Sequence, residues 1–212
     1  MPRGRTKVAN PETARRILAA AEMHFAAQGM AGARTEEIAS AAHANKAMLY
    51  YYFGDKRRLH RAVLENLFRQ LRKTVFAPER SGTTARERLE RFVGAYFDFL
   101  ASHPNYPRLV QREAMGATPD FEWMKREYLR PFFSRLAGAV KDGVESGEFR
   151  DVDPKHTAFT IMGMTTSYFA AAPVFSSVAG YDLLAPPAVA ERKKSLMDFL
   201  EHALMRRRTR NR

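Results

Sequence analysis

The stretch Thr35–Phe53, TEEIASAAHANKAMLYYYF, restricts what this chain can fold into more than any other. It holds two short amphipathic segments parted by a tight turn, which bury their apolar residues only by crossing each other against a supporting helix. In the first segment Thr35 stands where a helix cap is expected. Glu36 and Glu37 occupy the first turn, where the helix dipole favours carboxylates, and Ile38, Ala39 and Ala42 share one face. His43-Ala44-Asn45 redirects the chain, and Asn45 is placed to cap the second segment. There Leu49 and Phe53 lie four apart and point inward together, which leaves Lys46, Ala47, Tyr50 and Tyr51 outward. A lysine and two aromatics on the open side of so short a helix suit a surface that meets phosphates and base edges.

The run Thr35, Ala39, Ala42, Lys46, Leu49-Tyr50 and Phe53, continued by Lys56 and Leu59, resembles the DNA-binding signature of the TetR family of bacterial transcriptional regulators. The resemblance covers about residues 10–60. It implies DNA-binding roles for Thr35, Lys46, Ala47, Tyr50, Tyr51, Tyr52 and Lys56, the last on a phosphate. Three departures stand out. His43 replaces the usual turn glycine, which asks a bulky residue for a positive φ. Met48 replaces a small residue, and Tyr51-Tyr52-Phe53 replaces a frequent Tyr-His-Phe ending; both bear on which operator is read.

The net charge of +12 is unevenly placed. Residues 1–80 carry 15 Lys and Arg against 7 Asp and Glu, residues 81–205 carry 15 against 16, and residues 206–212 add 5 arginines. A basic module joined to a neutral one is the footprint of a nucleic-acid binder with a second function, although charge alone also serves solubility. The absence of cysteine excludes disulfides and thiolate metal sites. No run of about eighteen residues is uninterruptedly apolar, and the basic start lacks an apolar segment behind it. A cytoplasmic protein without a membrane span is expected.

Taken in order, every segment reads helical, with about nine helices and an all-α fold. Residues 2–7 form a basic arm, either a minor-groove contact or a mobile tail. Asn10-Pro11 opens the first helix, which Gly29 ends. Asp55 caps a fourth helix whose seam is Leu59, Val63, Leu67 and Leu71 and whose first turn is Lys56, Arg57 and Arg58. Thr84 and Glu87 have capping-box spacing. Phe92, Tyr96, Phe99 and Leu100 give the fifth helix an aromatic inner face, broken at His103-Pro104. A sixth helix over 107–115 follows. A long seventh runs from Thr118-Pro119 to about Glu145, and an eighth from Asp153-Pro154 to Ala172, where Pro173 stops it. After a loop over 174–185, Pro186-Pro187 begins the ninth. The division expected is a helix-turn-helix domain over 1–54 and a helical domain over 55–212.

The neutral region concentrates large apolar and aromatic side chains, which at helical spacing are core residues or pocket walls. Threonines among them favour a ligand site, for which Tyr96, Leu100, His103, Trp123, Met124, Tyr128, Met162, Thr165, Thr166 and Phe169 are the candidates. The family resemblance implies ligand sensing and a homodimer built from the last two helices. Phe159, Gly163, Leu196, Phe199, Leu200 and Ala203 are the candidate interface. A twofold dimer of this kind reads a palindromic double-stranded operator. The function expected is a ligand-responsive regulator, a repressor released by a small apolar or aromatic effector; a DNA-binding structural protein or an effector-free regulator is the alternative. Metal spacing, nucleophile elbows and phosphate loops are missing, and the six histidines are scattered, so no enzyme, metal or cofactor is expected.

Overall fold

A computed structural model describes residues 10–76, 82–116 and 118–206. The basic arm and most of the arginine tail lie outside the described residues. Nine helices are found among them. These are α1 (Pro11–Gly32), α2 (Thr35–Ala41), α3 (Lys46–Phe53), α4 (Lys56–Val75), α5 (Ala85–Ser102) and α6 (Tyr106–Gly116). Then come α7, made of Pro119–Met124, one π turn Lys125–Leu129 and Arg130–Glu145, followed by α8 (Pro154–Ala179) and α9 (Pro186–Leu204). The chain divides into two compact units, Met1–Leu67 and Phe68–Arg212. That boundary falls within α4, whereas the sequence suggested a division after residue 54.

In the N-terminal unit α1 packs on α2 and α3, and α2 on α3. Asn10 starts α1 by accepting the Glu12 N–H at 3.0 Å, with Pro11 at the first position. Gly29, at φ 72, interrupts the helix where expected, and one further turn follows. Ile17, Ala21 and Phe25 from α1 meet Ile38, Ala39 and Leu49, all buried. Asn45 caps α3 by accepting the Met48 N–H at 2.8 Å, and Asp55 caps α4 through Arg58 at the same distance. His43 adopts φ 49, so the turn keeps its left-handed residue without glycine.

In the C-terminal unit α7 packs against α5 and α8, α9 lies on α5, and α6 on α8. The capping box of α5 is complete, with Thr84 and Glu87 bonded reciprocally. Phe92, Tyr96, Phe99 and Leu100 are buried as expected. The π turn in α7 lies just before Pro131, whose ring would otherwise meet the carbonyl one turn back. Pro173 does not end α8. One lost N–H is absorbed, and the helix continues to Gly180, which closes it in the left-handed conformation at φ 78. The loop expected over 174–185 is thereby shortened.

By length and composition α8 could cross a membrane, with a mean hydropathy of 1.2, which the sequence reading did not anticipate. Thr160, Thr165, Thr166 and Ser167 punctuate its apolar residues, and only part of it is buried within the chain.

Candidate nucleic-acid interface and ligand chamber

The α3 helix buries Leu49 completely and turns Lys46, Ala47, Tyr50 and Tyr51 to solvent, with Tyr51 66% exposed. Phe53, expected to point inward with Leu49, is only half-buried. The exposed group is polar and ordered. The Lys46 ammonium is ion-paired with Glu36 in the first turn of α2 and lies 5.8 Å from the centre of the Tyr50 ring. The bond from Lys46 holds the Glu36 carboxyl below the usual carboxylate range, and Glu36 in turn raises Lys46. Arg16 ties α1 to the turn by donating Nε–H to the Ala42 carbonyl at 3.1 Å.

Three of the sequence candidates have other work. Thr35 is not a cap. The cap position is Arg34, and the Thr35 side chain is 7% exposed, with its hydroxyl donating to Glu36 at 3.3 Å and lying 3.5 Å from the Tyr50 hydroxyl. Tyr52 is half-buried and its hydroxyl accepts the Asn10 N–H at 2.8 Å, so it fastens the start of α1 to α3. Lys56 donates to the Ala31 carbonyl at 3.0 Å, satisfying a carbonyl at the end of α1. Glu36 is the residue that sequence reasoning missed as a member of this face. Its ten-residue separation from Lys46 hides the pairing.

The C-terminal unit holds a mainly apolar chamber of two neighbouring cavities of about 280 and 90 Å³, which share Phe68, Leu71, Tyr128 and Phe132 as walls and have Arg72, Glu127 and Gln111 at their edges. Of the candidates, Tyr96, Tyr128, Met162 and Thr166 line it. The Tyr96 hydroxyl and Thr166 Oγ1 are hydrogen-bonded at 2.8 Å, and burial pushes the phenol up to about 12, so it stays protonated. Trp123 stands behind the wall, edge-on to Phe68 and Tyr128. Phe68 and Phe76 went unnoticed because α4 was read as a Leu/Val seam, and Phe132 because it passed for ordinary core.

Other candidates lie outside the lining of the chamber. Leu100, Met124, Thr165 and Phe169 are fully buried core residues. Phe169 packs on Phe97, and Thr165 donates back to the Ile161 carbonyl, the usual fate of a helical threonine. His103 stacks on Phe99 and bonds Gln70 at 3.1 Å, which fixes it as a strut between α5 and the C-terminal turns of α4. On the expected dimer face, Phe159 is 72% and Phe199 54% exposed, and a Cβ on Gly163 would meet open space. Leu196 and Leu200 turn inward with Leu204, because residues four apart on α9 follow the core, while Ala203 is half-buried. Among the described residues no three His, Cys, Asp or Glu side chains are grouped to hold a metal.

A helix-turn-helix with a basic, aromatic outer face, joined to a helical unit with an apolar chamber, defines a DNA-binding regulator architecture. Residues 17–63 match the domain described as bacterial regulatory proteins, tetR family, and residues 86–200 match the tetracyclin repressor-like C-terminal domain. The chain belongs to the TetR family of bacterial transcriptional regulators. The HTH-type transcriptional repressor SCO4008 of Streptomyces coelicolor is 34% identical over 149 residues, 68% of this chain and 72% of that protein. The HTH-type transcriptional repressor NicS of Pseudomonas putida is 26% identical over 195 residues, 90% and 91% of the two chains. The structure of AibR in complex with isovaleryl coenzyme A and operator DNA shares the fold, with a TM-score of 0.72 at 17% identity over 88% of this chain and 97% of that one.

Proposed function

We infer that this protein is a cytoplasmic homodimeric repressor that leaves a palindromic operator when a small apolar or aromatic effector enters the C-terminal chamber. The observation that carries this reading is α4. It is one unbroken helix whose first turns belong to the DNA-binding unit and whose later turns place Phe68 and Leu71 on the chamber, with Phe76 just past its end. A ligand that binds one position of those turns better than another shifts the helix, and a ligand indifferent to both shifts nothing.

Phe159, Val174, Phe175 and Val178 of α8 and Phe199 of α9, all exposed, support pairing with a second copy, which would cover them. Such a dimer presents two α3 helices to successive turns of the major groove. The polarised outer face of α3 and its lysine supply the phosphate and base contacts.

The test is release from a bound palindromic duplex by a panel of aliphatic and aromatic probes. At least one apolar probe is expected to release the wild-type protein, and Trp123→Ala should change that response while apo binding stays intact. Equal operator affinity at every probe concentration would leave a regulator without a small-molecule effector.

A further inference from the structure

The smaller cavity of the chamber, about 90 Å³, has a polar corner that apolar packing does not account for. Tyr96, Tyr106 and Thr166 bring three hydroxyl side chains to its wall from α5, α6 and α8. Two of them satisfy each other, the Tyr96 hydroxyl and Thr166 Oγ1 lying 2.8 Å apart. The third is Tyr106, the first residue of α6, which is 4% exposed. Its hydroxyl makes no hydrogen bond to any described residue, so its hydrogen is available to whatever enters the cavity.

The ring is held in place for that task. It meets Phe68 edge-on at 5.5 Å and Phe99 edge-on at 5.1 Å, so its direction is set before a ligand arrives. Burial, with the Tyr96 phenol nearby, pushes the Tyr106 hydroxyl well above the ordinary tyrosine value, which keeps it protonated and a donor. A buried O–H without an acceptor costs free energy that an occupant with a suitable oxygen recovers.

The rest of the lining bears on which oxygen that is. Among the described residues lining this smaller cavity none is charged; Arg72 and Glu127 border the larger one. A carboxylate or ammonium would enter with no counter-ion, whereas a carbonyl is neutral and accepts.

We propose that Tyr106 is the effector's hydrogen-bond donor, and that the effector is a neutral compound with an apolar body and a carbonyl oxygen, as in a ketone, ester or amide. The inference rests on the chamber being the effector site, and it adds one acceptor oxygen to an otherwise apolar ligand. Val110, Leu129, Phe132 and Met162 supply the apolar contact beside that oxygen.

The experiment is ligand-observed NMR titration of the full chain with two shape-matched pairs, acetophenone with α-methylstyrene and cyclohexanone with methylenecyclohexane, in wild type and Tyr106→Phe. Each pair differs by a carbonyl oxygen in place of a CH2 group, and benzoate is the charged control. At least one ketone is expected to bind wild type, and the ratio of ketone to alkene affinity in that pair should fall about five-fold or more in the variant. Benzoate should bind more weakly than acetophenone. The apo melting temperature of the variant should equal or exceed that of wild type, because no hydrogen bond within the protein is lost. Binding of the alkenes alone, or a ratio unchanged by the variant, would mean that water serves Tyr106; it would overturn the acceptor site and leave the chamber reading standing. Benzoate binding tighter than acetophenone would overturn the neutral ligand. A lower melting temperature in the variant would show a hydroxyl already bonded within the fold and would overturn its role as donor. Failure of every probe to bind would overturn both the inference and the chamber reading.

Discussion

Lys46, the first residue of α3, is ion-paired with Glu36 in the first turn of α2, so this exposed cation already has a carboxylate partner within its own chain. On the proposed reading, docking on a duplex would exchange that carboxylate for phosphate and release counterions. Glu36→Gln removes the competitor together with one negative charge from the face. It is expected to tighten binding to random duplexes at low salt and to narrow the gap between random and operator DNA. Fluorescence anisotropy across a salt series measures both. Unchanged affinity for random DNA would mean that the pair persists in the complex.

The hydroxyl pair of Tyr96 and Thr166 is a polar feature of the chamber wall. Thr166→Val leaves the buried Tyr96 hydroxyl without its partner and should destabilise the protein by about 1–3 kcal/mol. Adding Tyr96→Phe removes the orphaned group and should restore most of that loss. Urea unfolding of the two single variants and the double variant gives the coupling, and additive losses would contradict it.

Gly143 in α7 faces the buried ring of Phe149, and a Cβ there would fall 2.2 Å from Phe149 Cδ2. Gly143→Ala therefore forces the ring or the helix to move, at a cost of about 1–3 kcal/mol despite the better helix propensity of alanine. A thermal melt that rises instead would show that the ring has room to retreat.

Glu148 accepts the Ala85 and Arg86 N–H groups, each at 3.0 Å, and so caps α5 from a distant part of the chain. Burial pushes its carboxyl up, but these bonds, with Ser146 and Arg88, outweigh burial and leave it below the usual carboxylate range. A depressed folded value means that the stabilisation is present above the unfolded value, about pH 4, and is lost as pH falls through the folded one. Glu148→Ala should lower stability by about 1 kcal/mol at neutral pH. Its stability curve should converge with wild type in acid; a gap independent of pH would contradict the charge argument.

Local rules made much of the fold legible in advance. Asn10, Asn45, Asp55, Thr84, Thr118 and Asp153 all cap the helices they precede, because a side-chain oxygen three residues or fewer before an amide needs no tertiary help. Pro173 misled because proline was read as a stop, whereas an interior proline forfeits one bond in a helix of 26 residues. The outer face of α3 was legible from its period. The second roles of Thr35, Tyr52 and Lys56 were not, since Tyr52 and Lys56 bond partners fixed by tertiary packing and Thr35 is buried beside the Tyr50 hydroxyl. In the chamber, helical spacing alone does not separate Phe169, which packs on Phe97, from Met162, which lines the cavity. Leu196 and Leu200 sit on a stripe that α9 divides between core and surface.

The central claim is that the outer face of α3 reads a duplex sequence. It is tested most directly by selecting palindromic sites from a random DNA pool and comparing wild type with Tyr51→Ala on the selected site and a scrambled duplex. A wild-type preference of about a thousand-fold or more is expected, falling at least about ten-fold in the variant while scrambled binding holds. No enrichment of any sequence, or equal losses on both duplexes, would contradict it.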